Sequence, residues 1–308
     1  MEDKINDFRA IDLKQIDAYY DLFDEACMLL YEELKLNYFD CIIRIYDDLN
    51  EGVVNSKGLN DDVVTKLRDL EDKISDFYAL NEEIREALRL IIIKGLEHKK
   101  ISLNYIEPDI IGLIYSYFIK RIFDNKLNNI SVLDITMGIG NNLNVIQNNL
   151  SFDVNLIGIE NDPNISKIAR MYSDLEGNNI TIYDESFLNY PSQVDVIIGN
   201  LTILDDPHSA LLKAQNTGRI MFYLVDNRFF EKDNMQSFKE NFTGTMLGLI
   251  VLSSDLMKED LGYSILILSP RHFKDYQTMI STLPSIKDEN KFQSSLKNVG
   301  DWLKKVII

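Results

Sequence analysis

Several things are scarce in this 308-residue chain, and each scarcity excludes something. Cysteine occurs only twice, at Cys27 and Cys41, too few for a disulfide scaffold, so both are expected as reduced thiols. Only 14 glycines and 6 prolines are present, which rules out a collagen-like or low-complexity fibre. The three histidines, His98, His208 and His272, lie far apart. No CxxC, HExxH or GxSxG occurs, so no metal site is expected, and triad hydrolysis loses its support. The longest apolar runs, such as Ile220–Val225 and Leu247–Leu252, are much too short to span a membrane. The start, MEDKINDFRAID, is charged and unlike a signal peptide, so a cytoplasmic protein without a membrane partner is expected.

Positive charge is also short. Against 32 Lys and Arg stand 49 Asp and Glu, a net charge of −17. Proteins that grip a phosphate backbone usually carry a basic face, so the acidity disfavours a nucleic-acid partner except through a local patch. Residues 1–100 hold 14 basic and 24 acidic side chains, making the first third the more acidic part.

That first third has helical periodicity. Ile16, Tyr20, Phe23, Cys27, Leu30 and Leu34 recur at three or four residues. A second segment runs from about Tyr38 to Leu49. A third, behind Asn60 or Asp61 as cap, carries Val63, Leu67, Leu70, Ile74 and Phe77. A fourth carries Ile84, Leu88, Ile91 and Ile92. This predicts a helical domain over 1–100, a surface suited to a protein partner.

From Ser131 onward, short β-rich runs alternate with helical ones. SVLDI (131–135), NLIGIE (155–160), ITIYDE (180–185), VDVIIGN (194–200) and RIMFYLVD (219–226) are almost continuously apolar, as parallel strands buried on both faces are. TMLGLIVLS (245–253) and YSILILSP (263–270) lie too close together for a helical crossover and should pair antiparallel. The expected fold is α/β: a Rossmann-like, seven-stranded sheet of five parallel strands and a final antiparallel hairpin, over residues 101–308. The tail after Pro270 is amphipathic, with Phe292, Leu296, Val299 and Leu303 at helical spacing.

In such sheets a ligand sits at the carboxyl ends of the strands. The first strand runs into Asp134-Ile-Thr136-Met-Gly138-Ile-Gly140-Asn-Asn-Leu143. The two glycines let the backbone turn sharply beside a ligand. Leu143 is too bulky for the third small residue of a dinucleotide fingerprint, and Asp134 would repel a pyrophosphate. It would attract an ammonium group. Each residue alone is better read as a turn or capping residue; the joint arrangement points to a site.

D-x-T-x-G-x-G at the end of a first strand resembles the first motif of class I S-adenosylmethionine-dependent methyltransferases. The resemblance implies S-adenosylmethionine as cofactor, with Asp134, Thr136, Gly138 and Gly140 around it. It implies Glu160, ending the second strand, for the ribose hydroxyls and Asp184 or Glu185, ending the third, near the adenine. Upstream, Asn104-Tyr105-Ile106-Glu107-Pro108-Asp109-Ile110-Ile111 resembles the Y-T-P-x-x-I/V segment of N6-adenine DNA methyltransferases. Tyr105 and Pro108 would then cover the methionine end of the cofactor. A helical domain ahead of the core, without a target-recognition domain, resembles a bacterial subgroup akin to type I restriction-modification subunits. Methyl transfer to an amino nitrogen is the implied activity.

The fourth strand of that family ends in [N/D]-P-P-[Y/F/W], where the first residue orients the target amine and the aromatic stacks on the base. Here the run is Gly199-Asn200-Leu201-Thr202-Ile203-Leu204-Asp205-Asp206-Pro207. Asn200 is in place, equally readable as the implied amine acceptor or as a residue that only ends the strand; both prolines and the aromatic are missing. Base stacking contributes about 1–3 kcal/mol in single-strand binders, which Ile203 cannot supply. Asp205 and Asp206 would suit a cation better than a phosphate. Three readings stay open: an adenine-type methyltransferase, a degenerate relative acting as an interaction or regulatory module, and a methyltransferase for a protein or small molecule.

Overall fold

A computed structural model of the chain describes residues 11–123, 129–184, 192–257, 261–273 and 276–307. It divides into two compact units. One takes the chain up to Tyr105 together with Lys167–Asn179; the other takes Ile106–Ser166 and the chain from Ile180 onward.

The first unit is helical. Four helices, α1 (Leu13–Leu34), α2 (Tyr38–Glu51), α3 (Asp61–Ser75) and α4 (Asn81–Lys99), turn the apolar stripes of the sequence toward one another. Phe23, Cys27, Leu30, Phe39, Ile42, Leu67, Leu88 and Ile91 are buried there. The helix starts are fixed by side-chain oxygens: Asn37 accepts from the Asp40 N–H at 3.0 Å, and Asn60 from the Val63 N–H at 3.0 Å. Asn60, not Asp61, is therefore the cap of α3. At Gly95 α2 comes so close that an added Cβ would stand 2.6 Å from Ile42 Cδ1. The buried Arg85 is paired with Glu82 and Glu86 and lies 3.5 Å from the Tyr172 hydroxyl. That charge is tolerable away from water because it is paired.

The second unit is built on an eight-stranded sheet of order β3-β2-β1-β4-β5-β7-β6-β8. The strands are β1 (Ile130–Asp134), β2 (Val154–Ile159), β3 (Ile180–Tyr183), β4 (Val194–Asn200), β5 (Gly218–Val225), β6 (Thr245–Leu252), β7 (Ser264–Ser269) and β8 (Met279–Leu283). β1 to β5 pair in parallel; β7 runs antiparallel to both β5 and β6. All seven expected strands are present. The expected count is corrected by β8, which pairs in parallel with β6 at the edge. Its residues alternate between partly buried and exposed, with Ile280 72% exposed, so MISTL lacks the apolar continuity that marked the others.

Helices α5 (Asp109–Phe123), α6 (Asn141–Asn149), α7 (Pro163–Leu175), α8 (Pro207–Ala214), α9 (Lys232–Asn241) and α10 (Glu289–Ile307) complete the chain. The amphipathic tail is α10, which buries Phe292, Leu296, Val299 and Leu303. α5 meets α6 at Gly112, where a Cβ would come within 2.8 Å of Val145 Cβ. Strand order reverses between β1 and β4, the switch point where open α/β sheets place their ligands.

Candidate active site

The site is assembled at that switch point. β1 ends in Asp134, only 1% exposed. Its carboxylate accepts the Thr136 N–H at 3.0 Å and so holds the turn that follows. The Thr136 hydroxyl accepts the Asn200 N–H at 2.6 Å, tying the ends of β1 and β4 together. Met137 donates its N–H to the Ile159 carbonyl at 3.1 Å, tying the turn to β2. Gly138 and Gly140 then take left-handed conformations, φ 56° and 84°, where a Cβ would strain the backbone. Gly140 is the cap from which α6 begins. The glycines thus serve the turn the sequence suggested, and Asp134 acts as a turn residue as well as a buried charge.

Met137 and Ile139 are both buried. The Met137 side chain lies against Gly158 of β2, where an added Cβ would meet its sulfur at 1.9 Å.

Glu160 follows β2 and is 6% exposed. Its carboxylate accepts the Asp162 N–H at 2.8 Å and also draws on the N–H groups of Asn161 and Gly138. Asp184 follows β3, is exposed, and accepts a hydrogen bond from the Ser166 hydroxyl. Glu185 lies outside the described residues. Pro108 stands half-buried ahead of α5, while Tyr105 ends a short 3₁₀ turn at the close of the first unit. Asp134, Thr136, Gly138, Gly140, Glu160 and Asn200 are thus brought together.

One residue of the site was missed in the sequence. Glu107 is 3% exposed, and one oxygen of its carboxylate has no hydrogen-bond partner. The Asn200 side chain hydrogen-bonds to the Glu107 carboxyl and favours its charged form. The Glu107 backbone is fixed by Asn141, whose amide nitrogen donates to the Glu107 carbonyl at 2.9 Å and to Asp109 Oδ1 at 2.8 Å. The available signal was an acid just before Pro108 in the segment that resembles Y-T-P-x-x-I/V, which carries one residue more than that pattern between Tyr105 and Pro108; its burial was not readable.

These carboxylates lie where charge is expensive. Burial lifts the Asp134 carboxyl to about 7, and Glu160 adds to the effect. Glu107 is pushed well above the usual carboxylate range, by burial first and then by Asp134. Glu160 is raised by burial, against which its N–H donors act. The hydroxyls of Tyr115 and Tyr223 are raised by burial and then by Asp134. Desolvation and like-charge proximity both favour the neutral acids. Such a group is suited to receive a cation. Among the described residues, no three His, Cys, Asp or Glu side chains are placed to hold a metal ion.

Asn200 is occupied on both sides. Its oxygen accepts from the Thr202 N–H at 3.1 Å and the Thr202 hydroxyl at 2.6 Å, capping the 3₁₀ turn Leu201–Ile203. To accept a hydrogen from a target amine it must release the Thr202 hydroxyl. Beside this turn is a cavity of about 170 Å³ lined by Leu201, Thr202, Asp205, Asp226, Arg228 and Glu231, among others. Asp226 is buried and pairs with Arg228, whose Nε stands at 3.0 Å.

The strand order, the lone antiparallel strand and the glycine turn after β1 define the class I methyltransferase fold. Comparisons with known proteins agree. A crystal structure from Listeria monocytogenes, described as a class I S-adenosylmethionine-dependent methyltransferase, superposes with a TM-score of 0.81 at 23% identity, over 95% of this chain and 100% of that one. A type I restriction-modification methyltransferase subunit from Streptococcus thermophilus gives 0.51 at 12% identity, over 94% and 93%. Residues 17–96 match the family model of the YtxK N-terminal helical domain. Over 94% of its length, the chain is 24% identical to the uncharacterized protein YtxK of Bacillus subtilis, of which 98% is covered.

Proposed function

We propose that the protein is an S-adenosylmethionine-dependent methyltransferase that transfers a methyl group to an amino nitrogen. The observation that carries this reading is the pair of buried carboxylates, Asp134 and Glu160, on either side of the Gly138–Gly140 turn. A buried acid raised to about 7 is a poor neighbour for a phosphate and a good one for the ammonium of an amino acid. The orphaned Glu107 oxygen adds a second acceptor at the same end. When bound, the cofactor supplies an electrophilic methyl group on a sulfonium. The chain's part is positioning: Asp134 for the ammonium, Gly138 and Gly140 for close backbone approach, Glu160 for the ribose hydroxyls. Asp184 and Glu185 are assigned to the adenine side, Tyr105 and Pro108 to the methionine end. In this reading residues 1–100 are a helical partner-binding domain and 101–308 the catalytic domain of a bacterial, cytoplasmic enzyme.

The finer reading is an N6-adenine DNA methyltransferase with Asn200 receiving the amine. Asn200 at the end of β4 and the Tyr105–Pro108 segment support it. A second reading has its own support in the commitment of Asn200 to Thr202 and Glu107 and in the acids lining the neighbouring cavity. On this reading the acceptor is a cationic group on a protein or small molecule, or the protein binds cofactor as a regulatory module. Incubation of cell extract with methyl-labelled cofactor separates these. Label in nuclease-sensitive material, lost with Asn200→Ala, supports DNA methylation. Label in protease-sensitive or small-molecule fractions supports the cationic acceptor. Binding without transfer supports the module.

A further inference from the structure

Glu107 and Asp134 are both buried, Asp134 acts on Glu107 through its charge, and none of the groups acting most strongly on either is a cation. Glu107 is faced by Asp134 from β1, Glu160 from the end of β2, Asn200 from β4 and Tyr115 from α5. Its backbone carbonyl receives Asn141 from α6. All are acids, neutral amides or a phenol. Asn200 is its side-chain hydrogen-bond partner, and Oε2 is orphaned at 3% residue exposure. Burying a carboxylate oxygen without a partner is costly unless a donor arrives. Asp134 already spends one oxygen on the Thr136 N–H. An ammonium has three donors and no acceptor, and so needs more than one carboxylate oxygen.

We infer that Glu107 is a second carboxylate for the ammonium of the cofactor's amino-acid end, shared with Asp134. This rests on the cofactor reading above and extends it to Glu107. In the segment resembling Y-T-P-x-x-I/V, Glu107 stands directly before the proline, where that pattern has threonine, and Tyr105 lies one residue further upstream than the pattern's tyrosine. In the free protein burial, and then Asp134, oppose the ionisation of Glu107 and push its carboxyl well above the usual range. An ammonium beside it reverses that balance, so binding releases the Glu107 proton to solvent. Affinity for the amino-acid end then rises with pH, while affinity for the adenosine part alone does not.

Calorimetry of the full chain at about pH 8, in two buffers of different ionisation enthalpy, counts the protons. The part of the release that is lost in Glu107→Gln relative to wild type is the part assigned to Glu107. S-Adenosylhomocysteine, which keeps the ammonium, should release about one proton from wild type. Glu107→Gln and Glu107→Thr should release less than half as much and bind about tenfold more weakly. 5′-Methylthioadenosine, which lacks the amino-acid end, should bind all three proteins equally with no proton released, showing the site still folded. Equal affinity and equal release in wild type and Glu107→Gln would overturn the assignment while leaving the cofactor reading intact. No binding of S-adenosylhomocysteine to wild type overturns both.

Discussion

Replacing Asp134 by Asn should stabilise the free protein, increasingly so as pH rises. Asparagine keeps the shape and still accepts the Thr136 N–H that Asp134 accepts at 3.0 Å. It removes a carboxyl that burial lifts from 3.8 to about 7. In the unfolded chain that carboxyl ionises near its ordinary value, so between these two values folding takes up a proton. Stability from this group is fully present below the unfolded value and is lost as pH rises through the folded one. At about 1.4 kcal/mol per pH unit, the shift corresponds to a loss on the order of 4 kcal/mol by about pH 8. Glu107 is displaced in the same direction and adds to the slope. Urea unfolding of wild type and Asp134→Asn, followed by the fluorescence of the single tryptophan, Trp302, measures the difference. The two proteins should be nearly equal at about pH 4 and diverge toward pH 8, Asn the more stable. A difference that stays constant with pH, or an Asn variant destabilised throughout, would refute the idea that Asp134 is held against its own charge.

Other contacts make further predictions. Thr136→Val removes the acceptor of the Asn200 N–H and should cost about 1–3 kcal/mol in urea unfolding, with Thr136→Ser close to wild type. Gly158→Ala places a Cβ against the Met137 sulfur and should cost about 1–3 kcal/mol; in a Met137→Ala background the added cost should shrink. Arg228→Ala leaves the buried Asp226 without its side-chain partner. Because Arg228 itself is largely exposed, that loss should be only about 1 kcal/mol, and smaller at high salt, as melting at two ionic strengths would show.

The sheet was legible because five strands are almost continuously apolar and helical patterns lie in gaps between them. The order of types then left one fold. β8 was not legible, since MISTL alternates at a sheet edge and its pairing with β6 is a tertiary fact. The turn at Gly138 and Gly140 was readable because left-handed backbone demands glycine. Asp134 and Glu160 were readable by their place at strand ends. Glu107 was not, because nothing local says that a glutamate before Pro108 will be buried against Asp134. Asn200 was placed correctly at the end of β4. Its commitment to Thr202 and Glu107 depends on how β4 meets the loop before α5, which no spacing encodes.

The central claim is that the carboxyl ends of β1 and β2 form a site for S-adenosylmethionine. Titration calorimetry of the purified chain with S-adenosylmethionine, repeated with Asp134→Ala and Glu160→Ala, tests it most directly. Saturable heat of one-to-one stoichiometry in wild type, weakened at least tenfold in each variant, is the predicted result. No heat with wild type at about millimolar cofactor, or binding that neither substitution affects, would contradict it.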